Sequence, residues 1–329
     1  MIKRATGELR DFAKAGHALI DLQMVDTNVD SMVALIIGPE GTPYHGGAFV
    51  FVISLPPTYP FAPPAMKLLT TNDGRTRFNP NLYSNGKVCL SYLGTFDGPS
   101  WTCGMKLEGL LMAVQSLLAE DPYHNEPKFE ACILGHASPS PLGDNCVSCN
   151  AKLVEALRRS ITQGFVAPKE NCCFYTAKLR HETLRIAVID VVCQLLWGAR
   201  AAVADLSLPE MEAKVLELIR GPAPTAEEHA TFAADAVRAG GLWRPMRCQW
   251  QDRVLRYFAS FADAWAAECM QWSAAAPRGM AFPMTAFESP ENGAAGTFDF
   301  EALGRCIAAL KAPVAARIAA SSGGPCAAA

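Results

Sequence analysis

The residues best suited to chemistry lie in one short stretch, Phe78-Asn79-Pro80-Asn81-Leu82-Tyr83-Ser84-Asn85-Gly86-Lys87-Val88-Cys89-Leu90. An Asn-Pro-Asn turn and then a Gly turn precede a cysteine, which follows Asn81 by eight residues. That layout can set a side-chain amide beside a thiol on an irregular surface segment. An ordinary thiol is a few per cent thiolate near neutral pH, which suffices for thioester exchange. An amide N–H aimed at a reacting acyl carbon stabilises an oxyanion, and loss of such a donor typically costs about 10² to 10³ in rate. The same residue types also serve as a turn-capping amide and an inert, half-buried thiol, and spacing alone leaves both readings open.

The elements that must position this stretch are legible on either side of it. Residues 2–14 read as an amphipathic helix with Ile2, Ala5, Leu9, Phe12 and Ala13 on one face. Met32–Ile37, Ala48–Leu55 and Ala65–Thr71 read as strands joined by short turns, Gly38-Pro39-Glu40-Gly41 among them. Three successive strands with such links predict an antiparallel meander, with a fourth strand expected before or around the cysteine loop. The segment 56–64 carries five prolines in nine residues, which makes it a stiff loop with Tyr59-Pro60 a plausible cis site. Residues 78–103 lack a regular pattern, as functional loops often do. Leu107, Leu110, Leu111, Val114, Leu117 and Leu118 then make a helical stripe that Asp121-Pro122 ends.

Composition changes near residue 131, where Gly, Ser, Pro and Cys mark 131–170 as a linker or insertion with a short helix at 152–159. A helix is expected over 176–197, with Leu184, Ala187, Val188, Val191 and Leu195 on one face. Ala-rich helices are expected at 209–220, 226–239, 251–270 and 299–319, before a mobile tail. The chain has 329 residues, half of them hydrophobic and 19% charged, which excludes global disorder. A net charge of −3 argues against a non-specific nucleic-acid binder. The apolar run Ile186–Trp197 is short of the roughly 20 residues a bilayer span needs, and Met1–Phe12 has no signal-peptide core. Twelve cysteines without that core point to free thiols in a reducing compartment, the cytoplasm or the nucleus.

Taken together, these residues resemble the ubiquitin-conjugating enzymes, which carry a His-Pro-Asn tripeptide and a cysteine eight residues after its Asn. Pro43-Tyr44-His45-Gly46-Gly47 resembles the family's Pro-Tyr-x-Gly-Gly turn, and Tyr59-Pro60-Phe61-Ala62-Pro63-Pro64 resembles its Tyr-Pro-x-x-Pro-Pro loop. Leu93–Trp101 resembles the lengthened loop of the larger Z-type branch, and Asp121–Pro127 resembles that branch's helix-end segment. Arg180–Val188 resembles its C-terminal extension, with Phe298-Asp299-Phe300 a weaker echo. The resemblance covers about residues 1–130 and implies an α+β ubiquitin-conjugating fold: N-terminal helix, four-stranded antiparallel meander and central helix. The expected organisation is a catalytic core at 1–130, a linker at 131–170 and a mostly helical C-terminal extension at 171–329.

The resemblance also implies roles. Cys89 would accept ubiquitin or a ubiquitin-like modifier as a thioester from an activating enzyme that uses ATP. The acyl group would then pass to the lysine of a protein substrate, usually with a ubiquitin ligase. Asn81 would stabilise the oxyanion or support the loop. Asn79 stands where most of the family has His, and with Pro80 would hold that loop. Asn125 or Glu126 would orient the lysine, with His124 a further candidate. Phe61 and the loop of Trp101, Thr102 and Cys103 would dock the ligase; Lys3, Arg4 and Arg10 would meet the activating enzyme. No metal or organic cofactor is implied, since the thioester carries the activation, and no nucleic acid or membrane is expected as partner. The alternative is a catalytically inactive adaptor of the same fold that binds ubiquitin or a ligase.

Two other constellations compete. Cys146 and Cys149, with Cys172, Cys173, Cys132 and His136, invite a zinc reading, but adjacent cysteines lack the usual spacer between paired ligands. His181 or His124 could partner Cys89 in a thiol protease, but neither lies in a protease signature.

Overall fold

Helix α1 (Ile2–Ala15) opens the chain and buries Ala5, Glu8 and Phe12. The expected apolar face is therefore narrower than its sequence: Ile2 is 50% exposed and Ala13 faces solvent. A carboxylate occupies the buried stripe because it has partners there. Glu8 accepts from the Tyr59 hydroxyl at 2.8 Å and from the backbone N–H of Leu107 at 2.8 Å, and it pairs with Arg4. Buried charge is tolerated only when paired and bonded in this way. The computed structural model describes residues 1–25, 28–125, 171–198, 201–221, 248–275, 278–282 and 296–321. The linker at 131–170, the helix expected at 226–239 and the final tail lie outside these residues.

The sheet has four antiparallel strands in sequence order: β1 (Ile20–Val25), β2 (Asn28–Ile37), β3 (Ala48–Ser54) and β4 (Ala65–Leu68). Ile20 pairs with Ile36 at one end of the β1–β2 ladder, and Phe51 pairs with Leu68 in the β3–β4 ladder. The fourth strand is β1, ahead of the three expected ones. Only isolated bridges form around the cysteine, Leu82 with Val88 and Lys67 with Lys87. The reason is the turn chemistry there, which folds the chain back every few residues and leaves no room for a ladder. Met32–Ile37 and Ala48–Phe51 are buried on both faces, so the central strands carry apolar residues without alternation. Tyr59-Pro60 is cis. Helix α2 (Leu107–Leu117) buries Leu107, Leu110, Leu111 and Val114, and Pro122–Asn125 form a 3-10 turn after it.

Contacts divide the chain into two units. The first holds Met1–His45, Phe49–Arg180 and Phe282–Gly296; the second holds Gly46–Ala48, His181–Ala281 and Thr297–Ala329. The second unit is helical. Helix α3 (Asn171–Glu182), whose residues up to Arg180 belong to the first unit, runs into a π-helical segment (Thr183–Asp190) and then α4 (Val191–Trp197). It is followed by α5 (Leu208–Arg220), α6 (Cys248–Ala275) and α7 (Phe300–Ser321). Helix α7 packs against α4, α5 and α6. The stretch expected as one amphipathic helix over 176–197 is instead buried nearly all round, including Glu182, Thr183 and Asp190. Such a helix belongs inside a core, and its polar residues need internal partners.

Those partners form a buried network in the second unit. Arg185 donates to Glu182 through Nε at 2.8 Å and Nη2 at 2.7 Å. The backbone N–H of Asp299 donates to His181 Nε2 at 3.2 Å, so the His181 proton sits on Nδ1, 3.2 Å from Glu182 Oε1. Burial lowers the pKa of His181, against the pull of Glu182. Burial alone would raise that of Glu182, but the Arg185 charge and the bonds from His181 and Arg185 hold it well below the usual carboxylate range. The two segments that resemble the Z-type extension, Arg180–Val188 and Phe298-Asp299-Phe300, thus meet through His181, whose ring also lies edge-on to Phe298 and Phe300.

Candidate active site

Cys89 lies on a segment with almost no regular structure, so side chains take over the task of a ladder. Cys89 and Asn81 bond reciprocally: the Cys89 N–H donates to Asn81 O at 2.8 Å, and Asn81 Nδ2 donates to Cys89 O at 2.9 Å. Asn79 Oδ1 accepts the Asn81 N–H at 2.9 Å. Asn79 Nδ2 donates to Leu117 O at 2.7 Å and lies 3.1 Å from the Tyr44 hydroxyl, which donates to Phe78 O at 2.6 Å. The Asn-Pro-Asn turn is thereby tied to the last turn of α2 and to the Pro-Tyr-x-Gly-Gly segment. Burial pushes the Tyr44 phenol far up, so it acts as a neutral donor.

The carbonyls of the same turn are covered from below. Arg77, itself buried, donates from Nε to Asn79 O at 3.3 Å and from Nη2 to Pro80 O at 2.5 Å. Its guanidinium carbon stands 4.2 Å above the Tyr83 ring, a cation–π contact. The return turn depends on Gly86, whose φ is +87° and whose carbonyl accepts from Leu68 N–H at 2.8 Å. A Cβ at Gly86 would stand 2.4 Å from Leu68 O, so only glycine fits.

Cys89 is a free thiol, 7% exposed. Its Sγ donates to Thr95 O at 2.9 Å. A short 3-10 turn, Ser91–Leu93, leads to Gly94 in the left-handed region and returns the chain toward the cysteine.

The lysine-orienting candidates are placed unevenly. Asn125 Nδ2 donates to Leu117 O at 3.2 Å, the carbonyl that Asn79 also uses. The backbone of His124 lies in the 3-10 turn beside it, and Glu126 falls outside the described residues, as do Cys132, His136, Cys146 and Cys149 of the zinc reading. Phe61 is 82% exposed beside cis Pro60. Trp101 Nε1 donates to Pro60 O at 2.8 Å, which joins the two expected docking loops, and Thr102 and Cys103 are exposed. Lys3 and Arg10 are exposed on α1, whereas Arg4 bonds to Glu8 and, from Nη2, to Met105 O at 3.0 Å.

Sequence reasoning assigned nothing to Tyr44 as an anchor, to Arg77 or to Thr95. Tyr44 carries a signal as part of the Pro-Tyr-x-Gly-Gly turn. Arg77 carries no local signal beyond preceding the turn it braces.

An α+β domain with its thiol on an Asn-braced loop between sheet and central helix is the architecture of a ubiquitin-conjugating domain, and residues 4–133 match the model of the ubiquitin-conjugating enzyme family. This part of the chain is related to the Z-type enzymes. The chain is 42% identical to human ubiquitin-conjugating enzyme E2 Z over 159 residues, which are 48% of this chain and 35% of that protein. It is 49% identical to probable ubiquitin-conjugating enzyme protein 17 of Caenorhabditis elegans over 106 residues, 31% of this chain and 15% of that protein. The chain therefore spans little more than a third of the length of the Z-type relative it matches. A solved E2 domain from Toxoplasma gondii aligns with 38% of this chain and 79% of its own at 33% identity, with a TM-score of 0.32.

Proposed function

We propose that Cys89 carries ubiquitin or a ubiquitin-like modifier as a thioester and hands it to a lysine, usually in company with a ubiquitin ligase. The observation that supports this most is the reciprocal clamp between Asn81 and Cys89, which fixes the backbone of a barely exposed free thiol inside a ubiquitin-conjugating domain. In the first transfer, Cys89 Sγ bonds to the modifier's C-terminal acyl carbon. The activating enzyme's sulfur leaves with the proton that Sγ gives up. In the second, a lysine nitrogen attacks that carbon, Sγ leaves, and one amine proton returns to it. ATP is used upstream, and no metal or organic cofactor enters either step.

Here the Asn81 amide is committed to Cys89 O, so loop support is its role in the uncharged protein; an oxyanion role requires that bond to open when the lysine attacks. Asn79 and Pro80 hold the turn. Asn125 orients the incoming lysine, a reading supported by its amide beside the end of α2. Phe61, Trp101, Thr102 and Cys103 offer the ligase surface, and Lys3 and Arg10 the exposed basic pair for the activating enzyme, with Arg4 bracing α1 from within. No described helix is long and apolar enough to cross a membrane. The five described free cysteines suit a reducing compartment, and we assign the protein to the cytoplasm and nucleus.

A charging assay tests the reading. With activating enzyme, ATP and modifier, the protein should form a thiol-sensitive adduct on a non-reducing gel. Cys89→Ala should lose the adduct and Cys89→Ser should make it thiol-resistant. Failure of folded protein to charge with any activating enzyme and modifier supplied would favour the adaptor.

A further inference from the structure

Resting on the reading of Cys89 as the acyl carrier, we infer that Thr95 is a positioning residue for Cys89 Sγ. It reaches the cysteine from the lengthened loop and makes five contacts there, one with Sγ and four with the backbone of the residues on either side. Its carbonyl accepts from Sγ at 2.9 Å. Its hydroxyl accepts the Leu90 N–H at 2.9 Å and lies 2.8 Å from Val88 O and 3.1 Å from Leu90 O. Its own N–H donates to Leu90 O at 3.2 Å. The hydroxyl thus holds the backbone on both sides of Cys89, and the carbonyl is thereby fixed relative to that backbone.

The consequence is a single direction for Sγ. A cysteine side chain has three staggered χ1 wells, and one acceptor held at a fixed place selects among them. The grip exists only in the thiol form. Once Sγ bonds to an acyl carbon and its proton has left with the outgoing sulfur, it has no hydrogen to donate to Thr95 O. Thr95 therefore orients the resting thiol from which the attacking thiolate forms, while its hydroxyl keeps the flanking backbone in place as the proton leaves, and its carbonyl has no corresponding hold on the loaded sulfur. Geometry of this kind matters to rate, since a displacement of about 1 Å in a reacting group can cost up to about 10²-fold.

Thr95 is solvent-exposed, so its replacement should leave the fold intact. The test compares Thr95→Val, which removes the hydroxyl at nearly constant shape, with Thr95→Ser, which keeps it. Two readouts are taken: single-turnover charging and discharge, and alkylation of Cys89 by iodoacetamide followed residue by residue by mass spectrometry. The valine variant should charge about fivefold or more slowly, discharge a preformed thioester to free lysine within about twofold of the parent, and alkylate at Cys89 faster because the loop no longer covers it. The serine variant should match the parent in all three. Buried Cys193, Cys269 and Cys306 should stay unmodified, which separates a local change from unfolding. Equal slowing of charging and discharge, a valine variant with parental charging and alkylation, or a serine variant as impaired as valine would each overturn the assignment. If the parent itself forms no adduct, the carrier reading fails, and unchanged alkylation in Thr95→Val would then sink the Thr95 assignment on its own.

Discussion

Around Cys89, side chains bond mostly to backbone: Asn79 to Leu117 O, Asn81 to Cys89 O, Arg77 to Pro80 O. In the second unit, His181, Glu182 and Arg185 bond chiefly to one another. The difference follows from what each backbone lacks. An irregular segment leaves its own N–H and C=O groups unmet, and amides and a guanidinium supply them. A helix has already met its backbone groups, so charged side chains caught inside it must neutralise each other. The first network fixes the backbone that carries the Cys89 thiol. The second makes a polar stretch compatible with a core.

The largest effect should come from breaking the charge-paired network. Glu182→Ala leaves Arg185 and His181 buried without their carboxylate and should lower stability by about 3–5 kcal/mol in urea denaturation. A loss under about 1 kcal/mol would mean that the pairing does not hold this helix in place. Next comes Asp190, which accepts from Val203 and Ala204 N–H and from Gln194. Burial pushes its carboxyl up to about 6, against those hydrogen bonds, from an ordinary value of 3.8. The folded chain then binds the proton more tightly than the unfolded one, so this group's contribution falls as pH rises from about 4 through 6, by at most about 3 kcal/mol. Asp190→Asn should flatten that slope; an unchanged slope would assign it to other groups. The backbone-directed network should yield less in stability and more in rate. Asn79→Ala removes the acceptor of Asn81 N–H and should cost about 1–3 kcal/mol while slowing lysine discharge. Discharge at the parental rate would separate Asn79 from the reaction altogether.

The sequence and the structure agree best where patterns repeat. The α2 stripe and the apolar runs of β2 and β3 are periodic or continuous; α2 and β3 have nearly the expected ranges, and β2 ends as expected but begins four residues earlier, at Asn28. The site was legible as a set of residues, because Asn79, Asn81 and Cys89 stand at a distinctive spacing. How they bond was not, because it depends on distant partners: Tyr44 and Leu117 are 35 and 38 residues from Asn79. Strand β1 escaped notice because it is six residues long and ends in a register irregularity at Met24/Val25. Periodicity over 176–197 picks out one apolar face, whereas burial there extends nearly all round the helix. The burial of Glu8 has no local signal either, because the partners that meet it, Tyr59 and Leu107, lie far along the chain.

The π-helical turn Thr183–Asp190 carries a consequence for how this chain can change in length. A π turn takes up an extra residue within an otherwise α-helical rod. Because the wider winding absorbs that residue, the helix before the turn and the helix after it keep nearly the angular relation they would have in a plain α-helix one residue shorter. A one-residue deletion that rewound the turn as α-helix would leave Asp190 facing the amides of Val203 and Ala204, whereas a deletion in an ordinary α-helical stretch turns everything downstream by about 100°. The irregular turn is therefore the place where this segment can shed a residue at little cost in register.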